Sequence, residues 1–113
     1  MKDLISYSDF TKIEIRVGTI ISAQLNNKLR KQAFVLKIDF GDEIGIKKSS
    51  AQIRKNYNSS KLINKQVIAV TNFKPKQIGK IISEVLVLAL PDENNEPILI
   101  SPPIELKNGI KLY

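Results

Sequence analysis

The chain has 113 residues and a formal net charge of +7, with 42% hydrophobic and 26% charged residues, a composition typical of one folded domain with a modest core. It contains no cysteine and no histidine, which excludes disulfides, thiolate nucleophiles and the two commonest transition-metal ligands. Its apolar runs are too short to cross a bilayer, and its N-terminal segment lacks the apolar region of a signal peptide, so we expect a single cytoplasmic domain over residues 1–113 with no membrane insertion.

In chain order, the predicted elements begin with a short helical turn over residues 6–12, which Ser6 or Ser8 can cap. β-strands are predicted where apolar residues alternate with polar ones or form short apolar runs: residues 13–21, 34–40, 43–48, 67–73, 84–90 and 98–100. Within the first strand, Gly18 is expected to produce a bulge or a sharp bend. A tight turn at Gly41-Asp42 joins the second and third strands into a hairpin, and Ile46 in the third strand is expected to face the core.

A short helix is predicted between the third and fourth strands, over residues 51–57, with Ser49 or Ser50 as its cap and residues 58–60 as its end. Three polar segments are predicted to be loops or turns: 26–31, 91–96 and 107–109. Five strands with a helix after the third are the order of an all-β OB-fold barrel, here with short extra terminal elements. Strand count alone also allows an SH3-like or split barrel, and the position of the helix favours the OB-fold.

The aromatic residues are few and mostly fall on predicted core positions. Phe34, Phe40 and Phe73 lie at strand positions that read as core, and Phe10 is expected to pack the N-terminal turn. Tyr57 is expected to close the predicted helix onto the core. Since OB-folds that bind single strands usually stack bases on exposed rings, this pattern weakens the prediction of simple single-strand binding.

Basic residues are concentrated in one part of the chain. Residues 44–83 contain no Asp or Glu and nine cations: Lys47, Lys48, Arg54, Lys55, Lys61, Lys65, Lys74, Lys76 and Lys80. Such asymmetry points to a polyanion or an acidic partner surface. The alternative is an ordinary solvated surface, in which lysine serves only solubility.

No enzyme motif is present in the sequence. There is no phosphate-binding or dinucleotide-binding glycine pattern, and a Ser-His-Asp or Cys-His group is impossible without histidine. The acid pairs Asp42-Glu43 and Asp92-Glu93 lie in predicted surface turns, which rarely separate two carboxyl pKa values as catalysis requires. We therefore expect a binding module rather than an enzyme, with no cofactor.

Four segments together resemble the tRNA-binding OB domains that occur as free-standing proteins and as appendages of some aminoacyl-tRNA synthetases: IEIRVGTI (13–20), IGIKKSSAQIRKNY (44–57), LINKQVIAVTNFKPKQI (62–78) and SEVLVLA (83–89). The resemblance covers about residues 9–109 and is strongest to the CsaA-type branch, the small secretion-related chaperones. Members that bind tRNA usually carry Ser-Gly-Ile where this chain has Ser50-Ala51-Gln52, and Ser-Glu-Gly-Met where it has Ser83-Glu84-Val85-Leu86. Both departures match the CsaA branch.

The resemblance implies a homodimer that binds unfolded or preprotein polypeptides and contacts the SecA translocation motor, and it leaves tRNA binding open as a further activity. The alternatives are a tRNA-binding protein whose basic face contacts phosphates, and a subunit that docks on one acidic protein. Motif positions and the basic segment give ten candidate binding residues: Lys48, Ser49, Ser50, Arg54, Asn72, Lys74, Lys76, Lys80, Ser83 and Glu84. For Asn72 and Ser83 the alternative is local turn hydrogen bonding, and for Glu84 it is an ordinary surface ion pair.

Overall fold

The computed structural model of the protein describes residues 1–26 and 33–113. Except for residue 26, the predicted loop over residues 26–31 lies outside the described part. The helices are α1 (Tyr7–Thr11), α2 (Gly41–Ile44) and α3 (Ser59–Leu62). The strands are β1 (Ile15–Asn26), β2 (Ala33–Asp39), β3 (Ile46–Ala51), β4 (Gln66–Val70), β5 (Lys76–Ile78), β6 (Ile81–Ser83), β7 (Leu86–Val87), β8 (Ala89–Pro91) and β9 (Pro97–Leu99).

The central feature is a curled antiparallel sheet in the order β3-β2-β1-β4-β7. Its two edges approach each other where the backbone N–H of Glu84 donates to the carbonyl of Lys48 over 2.8 Å. Two small hairpins, β5–β6 and β8–β9, are attached to this sheet. The predicted all-β, OB-fold-like barrel is confirmed.

The core fills the inside of the curled sheet. In β2, Leu36 and Ile38 are fully buried while Lys37 between them is exposed, because neighbouring side chains of a strand point to opposite faces. The buried cluster draws on β1, β2, α3, β4 and β9 and on the segments between elements: Ile20, Ala23, Phe34, Leu36, Ile38, Phe40, Ile53, Leu62, Val67, Ala69, Val85 and Leu99. Phe34 and Phe40 are therefore core residues as predicted, whereas Ile46 is 56% exposed and its core assignment is wrong.

Gly18 serves close packing rather than a bulge. It pairs in regular register with Val67, and the irregularity of β1 lies later, between Ile20 and Ser22. A Cβ at Gly18 would lie 2.6 Å from Cγ2 of Ile38, so no larger side chain fits there without displacing the core. The predicted position of the bulge is wrong, although β1 does contain one.

The helix between the third and fourth strands exists, but not at the predicted position. β3 continues to Ala51, and α3 starts only after Asn58, whose side-chain oxygen accepts from the backbone N–H of Lys61 over 2.9 Å. Ser49 and Ser50 are strand residues and cap nothing. Tyr57 still packs against the core, as predicted, and its hydroxyl accepts from the backbone N–H of Leu99.

The remaining turns partly follow the sequence prediction. Ser6 caps α1 and forms a capping box with Asp9. The turn at Gly41-Asp42 is a single turn of helix, α2, rather than a two-residue hairpin turn. The predicted fifth strand over residues 84–90 is divided into β7 and β8. Of the helices described, none is long and apolar enough to cross a membrane.

One carboxylate anchors the turn between β8 and β9. The backbone N–H groups of Glu96 and Asn94 and the side-chain amide of Asn56 all donate to Asp92. The bond from Glu96, then that from Asn56, and finally that from Asn94 lower the pKa of Asp92 below its ordinary value of 3.8, with partial desolvation acting in the opposite direction. Asp92 thereby fixes this turn to the irregular segment that follows β3.

Candidate functional site

A cleft of about 560 Å³ lies where the β5–β6 hairpin stands against the closing edges of the sheet, and we refer to it as the hairpin cleft. Four apolar residues line it: Phe73, Ile78, Val85 and Leu86. Five polar or charged residues line it as well: Ser50, Lys74, Lys76, Ser83 and Glu84. The arrangement suits an apolar group held among a few polar contacts, as is typical of binding sites.

The hairpin supplies one wall of this cleft. Lys76 and Ile78 lie two residues apart in β5 and so share one face, and Ser83 of β6 is paired in register with Lys76. Gly79 turns the chain between the two strands with φ of +62°, a conformation that glycine adopts without strain. The two strands are only three residues long each, which explains why no strand was predicted there.

Phe73 was predicted to be a core residue, and this is wrong. β4 ends at Val70, and Phe73 lies beyond it with 54% of its surface exposed. Leu86, which also lines the cleft, is 50% exposed. Since large apolar side chains gain by leaving water, these two residues favour an apolar occupant.

The second wall is a seam of hydrogen bonds between β3 and residues 83–85. The backbone N–H of Lys48 donates to the Glu84 carboxylate over 3.1 Å, in addition to the barrel-closing bond in the other direction. The backbone N–H of Ser50 donates to the Ser83 hydroxyl over 3.0 Å. The seam fixes the polar side of the cleft.

Ser49 is part of this seam and not of the cleft. Its side chain is 2% exposed, and its hydroxyl donates to the carbonyl of Val85 over 3.1 Å. No ligand reaches that hydroxyl without opening the barrel. Its neighbour Ser50 makes its seam bond through the backbone N–H and is one of the residues that line the cleft.

The electrostatics of the cleft are positive. Glu84 is its only acid among the described residues, and its carboxylate forms an ion pair of 3.7 Å with Lys47. The prediction that Glu84 pairs with a nearby lysine is confirmed. Lys74 and Lys76 are exposed, and neither takes part in an ion pair with another described residue.

The other predicted site residues lie outside the cleft. Lys48, Arg54 and Lys80 are exposed on the surface and do not line it. The amide of Asn72 joins two distant segments: its oxygen accepts from the backbone N–H of Glu14 over 2.8 Å, and its nitrogen donates to the carbonyl of Lys12 over 2.7 Å. These are long-range bonds rather than the local turn bonds considered as the alternative.

Five of the ten predicted residues are thus brought together, namely Ser50, Lys74, Lys76, Ser83 and Glu84. The sequence prediction missed the apolar lining and Lys47. Gly79 between Ile78 and Ile81 was a signal for a hairpin, since a glycine flanked by short alternating segments favours a turn. Within the described residues, no group of acidic side chains is arranged to hold a metal ion.

Comparison with known proteins gives one consistent family. The sequence profile of a putative tRNA binding domain matches residues 15–111. The crystal structure of the chaperone CsaA from Bacillus anthracis is 42% identical in sequence and superimposes with a TM-score of 0.91 over 98% of this chain and 100% of that one. The CsaA chaperone protein from Picrophilus torridus is 48% identical, with a TM-score of 0.90 over 97% of this chain and 100% of that one.

A second group of relatives consists of much longer proteins. Methionine–tRNA ligase from Methanococcoides burtonii is 37% identical over 112 residues, which are 99% of this chain but 16% of the ligase. The ligase from Pyrococcus abyssi is 33% identical over 96% of this chain and 14% of its own length. The chain therefore spans about one sixth of the length of the ligases it matches.

Proposed function

This chain belongs to the family of putative tRNA-binding domains and resembles its CsaA-type members over its whole length, and we propose that it is a non-enzymatic molecular chaperone that binds unfolded or export-bound polypeptides. The observation that carries the proposal is the hairpin cleft. Its apolar residues Phe73 and Leu86 are about half exposed, which favours an apolar ligand. Two structures that superimpose on nearly the whole chain, with TM-scores of 0.91 and 0.90, are those of chaperones.

The chemistry of the cleft fits a ligand of variable sequence. An apolar side chain of an extended polypeptide contacts Phe73 and Leu86 in this cleft, while Ser50 and Ser83 supply polar groups to its lining. Lysines at the rim adapt to many sequences, because their long stems cover apolar surface while the ammonium group stays in water. Binding of this kind holds a polypeptide without chemical change.

The test is suppression of aggregation of a chemically denatured client, together with the affinity for a fluorescent unstructured peptide. Leu86→Asn should weaken both, since Leu86 is half exposed and lines the cleft. Ile104→Asn is the matched control, because Ile104 is 69% exposed and lies outside the cleft. Wild-type activity in the first variant, or equal losses in both, would contradict the proposal.

tRNA binding is the second candidate function, and a separate observation favours it. Arg54, Lys48 and Lys80 are exposed cations outside the cleft, and the chain is related to a domain family described as tRNA-binding. If these residues contact phosphates, the affinity for tRNA falls steeply as salt rises, since each contact releases counterions. A titration at several salt concentrations measures that slope, and the absence of binding at low salt would exclude this function.

We further propose that two copies of the chain form a homodimer in the cytoplasm and that the dimer contacts the SecA translocation motor. Apolar side chains of the terminal segments offer surface for pairing, because Leu4 is 91% exposed, Ile5 72% and Leu112 51%. Sedimentation equilibrium tests the dimer, cell fractionation tests the location, and calorimetry with purified SecA tests the contact.

A further inference from the structure

The two lysines at the rim of the hairpin cleft have no ion-pair partner among the described residues. Lys74 and Lys76 line the cleft, are exposed, and form no ion pair with a described residue. The whole stretch from residue 44 to residue 83 contains no Asp or Glu. Both ammonium groups are therefore available to a ligand.

The one carboxylate of the cleft is already engaged within the protein. Glu84 accepts from the backbone N–H of Lys48 and pairs with Lys47 at 3.7 Å. An acidic group of a ligand therefore meets two unpaired cations, and the one carboxylate nearby, that of Glu84, is already neutralised by Lys47. A basic group of a ligand would meet the same two cations without gaining Glu84, unless it displaced Lys47.

The position of these charges beside apolar residues makes them effective. Lys76 and Ile78 share a face of β5, and Lys74 follows Phe73 directly, so each cation adjoins an apolar part of the lining. When an apolar ligand side chain fills that lining, it removes water from one side of each ammonium group. Charge interactions strengthen as the local dielectric constant falls, so a neighbouring ligand carboxylate gains more here than at an open surface.

From this arrangement we infer that the hairpin cleft selects polypeptide segments in which an apolar residue is flanked by Asp or Glu. The inference rests on the proposed polypeptide-binding function and specifies its ligand. The apolar anchor supplies binding, and the flanking acids supply selectivity. A nucleic acid would also meet the lysines, and a base can stack on the exposed ring of Phe73. The aliphatic lining by Ile78, Val85 and Leu86 favours the side chain of a polypeptide.

The experiment uses three short fluorescein-labelled peptides with the same central Leu-Phe pair, flanked by Asp and Glu, by Ser and Gln, or by Lys. Fluorescence anisotropy gives the affinity of the full chain for each, at about 0.01 M and about 0.15 M ionic strength. The acid-flanked peptide should bind about threefold to tenfold more tightly than the neutral one at low salt, as two partly exposed ion pairs allow. The lysine-flanked peptide should bind most weakly.

Variants then locate the selectivity. The double variant Lys74→Gln, Lys76→Gln should bind the acid-flanked and neutral peptides with equal affinity, so that the ratio of the two affinities falls to about one. The control is Lys61→Gln, Lys107→Gln, which removes the same charge at two exposed positions outside the cleft. This control should retain the preference measured at about 0.15 M ionic strength, where a Debye length of about 8 Å screens charges that lie outside the cleft.

Each outcome decides one of the two proposals. If all three peptides bind equally, or the lysine-flanked one binds best, the inference is wrong while polypeptide binding stands. If no peptide binds but tRNA does, the chaperone function is wrong and the inference falls with it. If both double variants lose the preference equally, net charge rather than the cleft causes it, which also overturns the inference.

Discussion

Ser49 and Ser50 are adjacent, and substituting each with alanine separates barrel closure from ligand contact. Ser49 is 2% exposed and donates to the carbonyl of Val85 over 3.1 Å. The other hydroxyl near this carbonyl, that of Ser83, lies 3.5 Å away, which is at the limit of a hydrogen bond. Ser49→Ala therefore leaves a buried acceptor almost without a partner.

The expected cost of that change is about 1–2 kcal/mol of the free energy of unfolding, the usual penalty for a buried unsatisfied acceptor. With a urea m-value of about 1–2 kcal/mol/M for a small domain, the unfolding midpoint should fall by about 1 M. The slope of the transition should not change. Affinity for the acid-flanked peptide, measured well below the midpoint, should equal that of the wild type, because the Ser49 hydroxyl does not face the cleft.

Ser50→Ala is the matched control and should behave in the opposite way. Its seam bond comes from the backbone N–H, which alanine retains. The free energy of unfolding should therefore change by less than about 0.5 kcal/mol. Ser50 is one of the residues that line the cleft, so loss of its hydroxyl should lower peptide affinity about twofold to tenfold. If Ser49→Ala instead kept its midpoint and lost peptide affinity, Ser49 would be a ligand contact and the account of the seam would be refuted.

Three further changes test other parts of the structure. Gly18→Ala should lower stability by about 1–3 kcal/mol in urea unfolding, because its Cβ would lie 2.6 Å from Ile38; an unchanged midpoint would contradict the packing. Hydrogen bonds lower the pKa of Asp92, so the stabilisation that its carboxylate provides is present above pH 3.8 and is lost as the pH falls through the lower pKa of the folded state. The melting temperature of Asp92→Asn should therefore change less with pH in that acidic range than the melting temperature of the wild type. Equal pH dependence of the two proteins would refute this. Glu84→Gln removes the ion pair with Lys47, so the affinity for the acid-flanked peptide, measured by anisotropy at low salt, should rise about twofold. An equal gain for the neutral peptide would contradict this and indicate that the substitution changes the shape of the cleft.

The strands and core could be predicted because burial has a period that the sequence displays. Leu36 and Ile38 alternate with Lys37, and the structure buries the first two and exposes the third. The same rule failed for Phe73, because an apolar residue just beyond a strand end has the same local pattern as one inside it. Whether the chain continues in the sheet depends on partners distant in sequence, which the local pattern does not contain.

The misplaced helix has a related cause. Two serines followed by Ala51 are a common start of a helix, but here both serines bond to residues 83–85 across the barrel. Tertiary hydrogen bonds thus replaced the local ones that the sequence suggested. The true start at Asn58 carries an equally ordinary cap, and no local feature ranks one above the other.

The sequence predicted one part of the candidate site and missed another. Its cations were found because an acid-free stretch is visible in the sequence, whereas its apolar lining was missed because Phe73 and Leu86 were assigned to a strand. At position 85, where tRNA-binding members usually have glycine, Val85 is 5% exposed and belongs to the core cluster. The neighbouring Leu86 contributes its side chain to the cleft. The replacement of glycine by Val85 thus fills the core beside the seam, whereas Leu86 stands where those members have methionine and leaves the apolar character of the cleft unchanged.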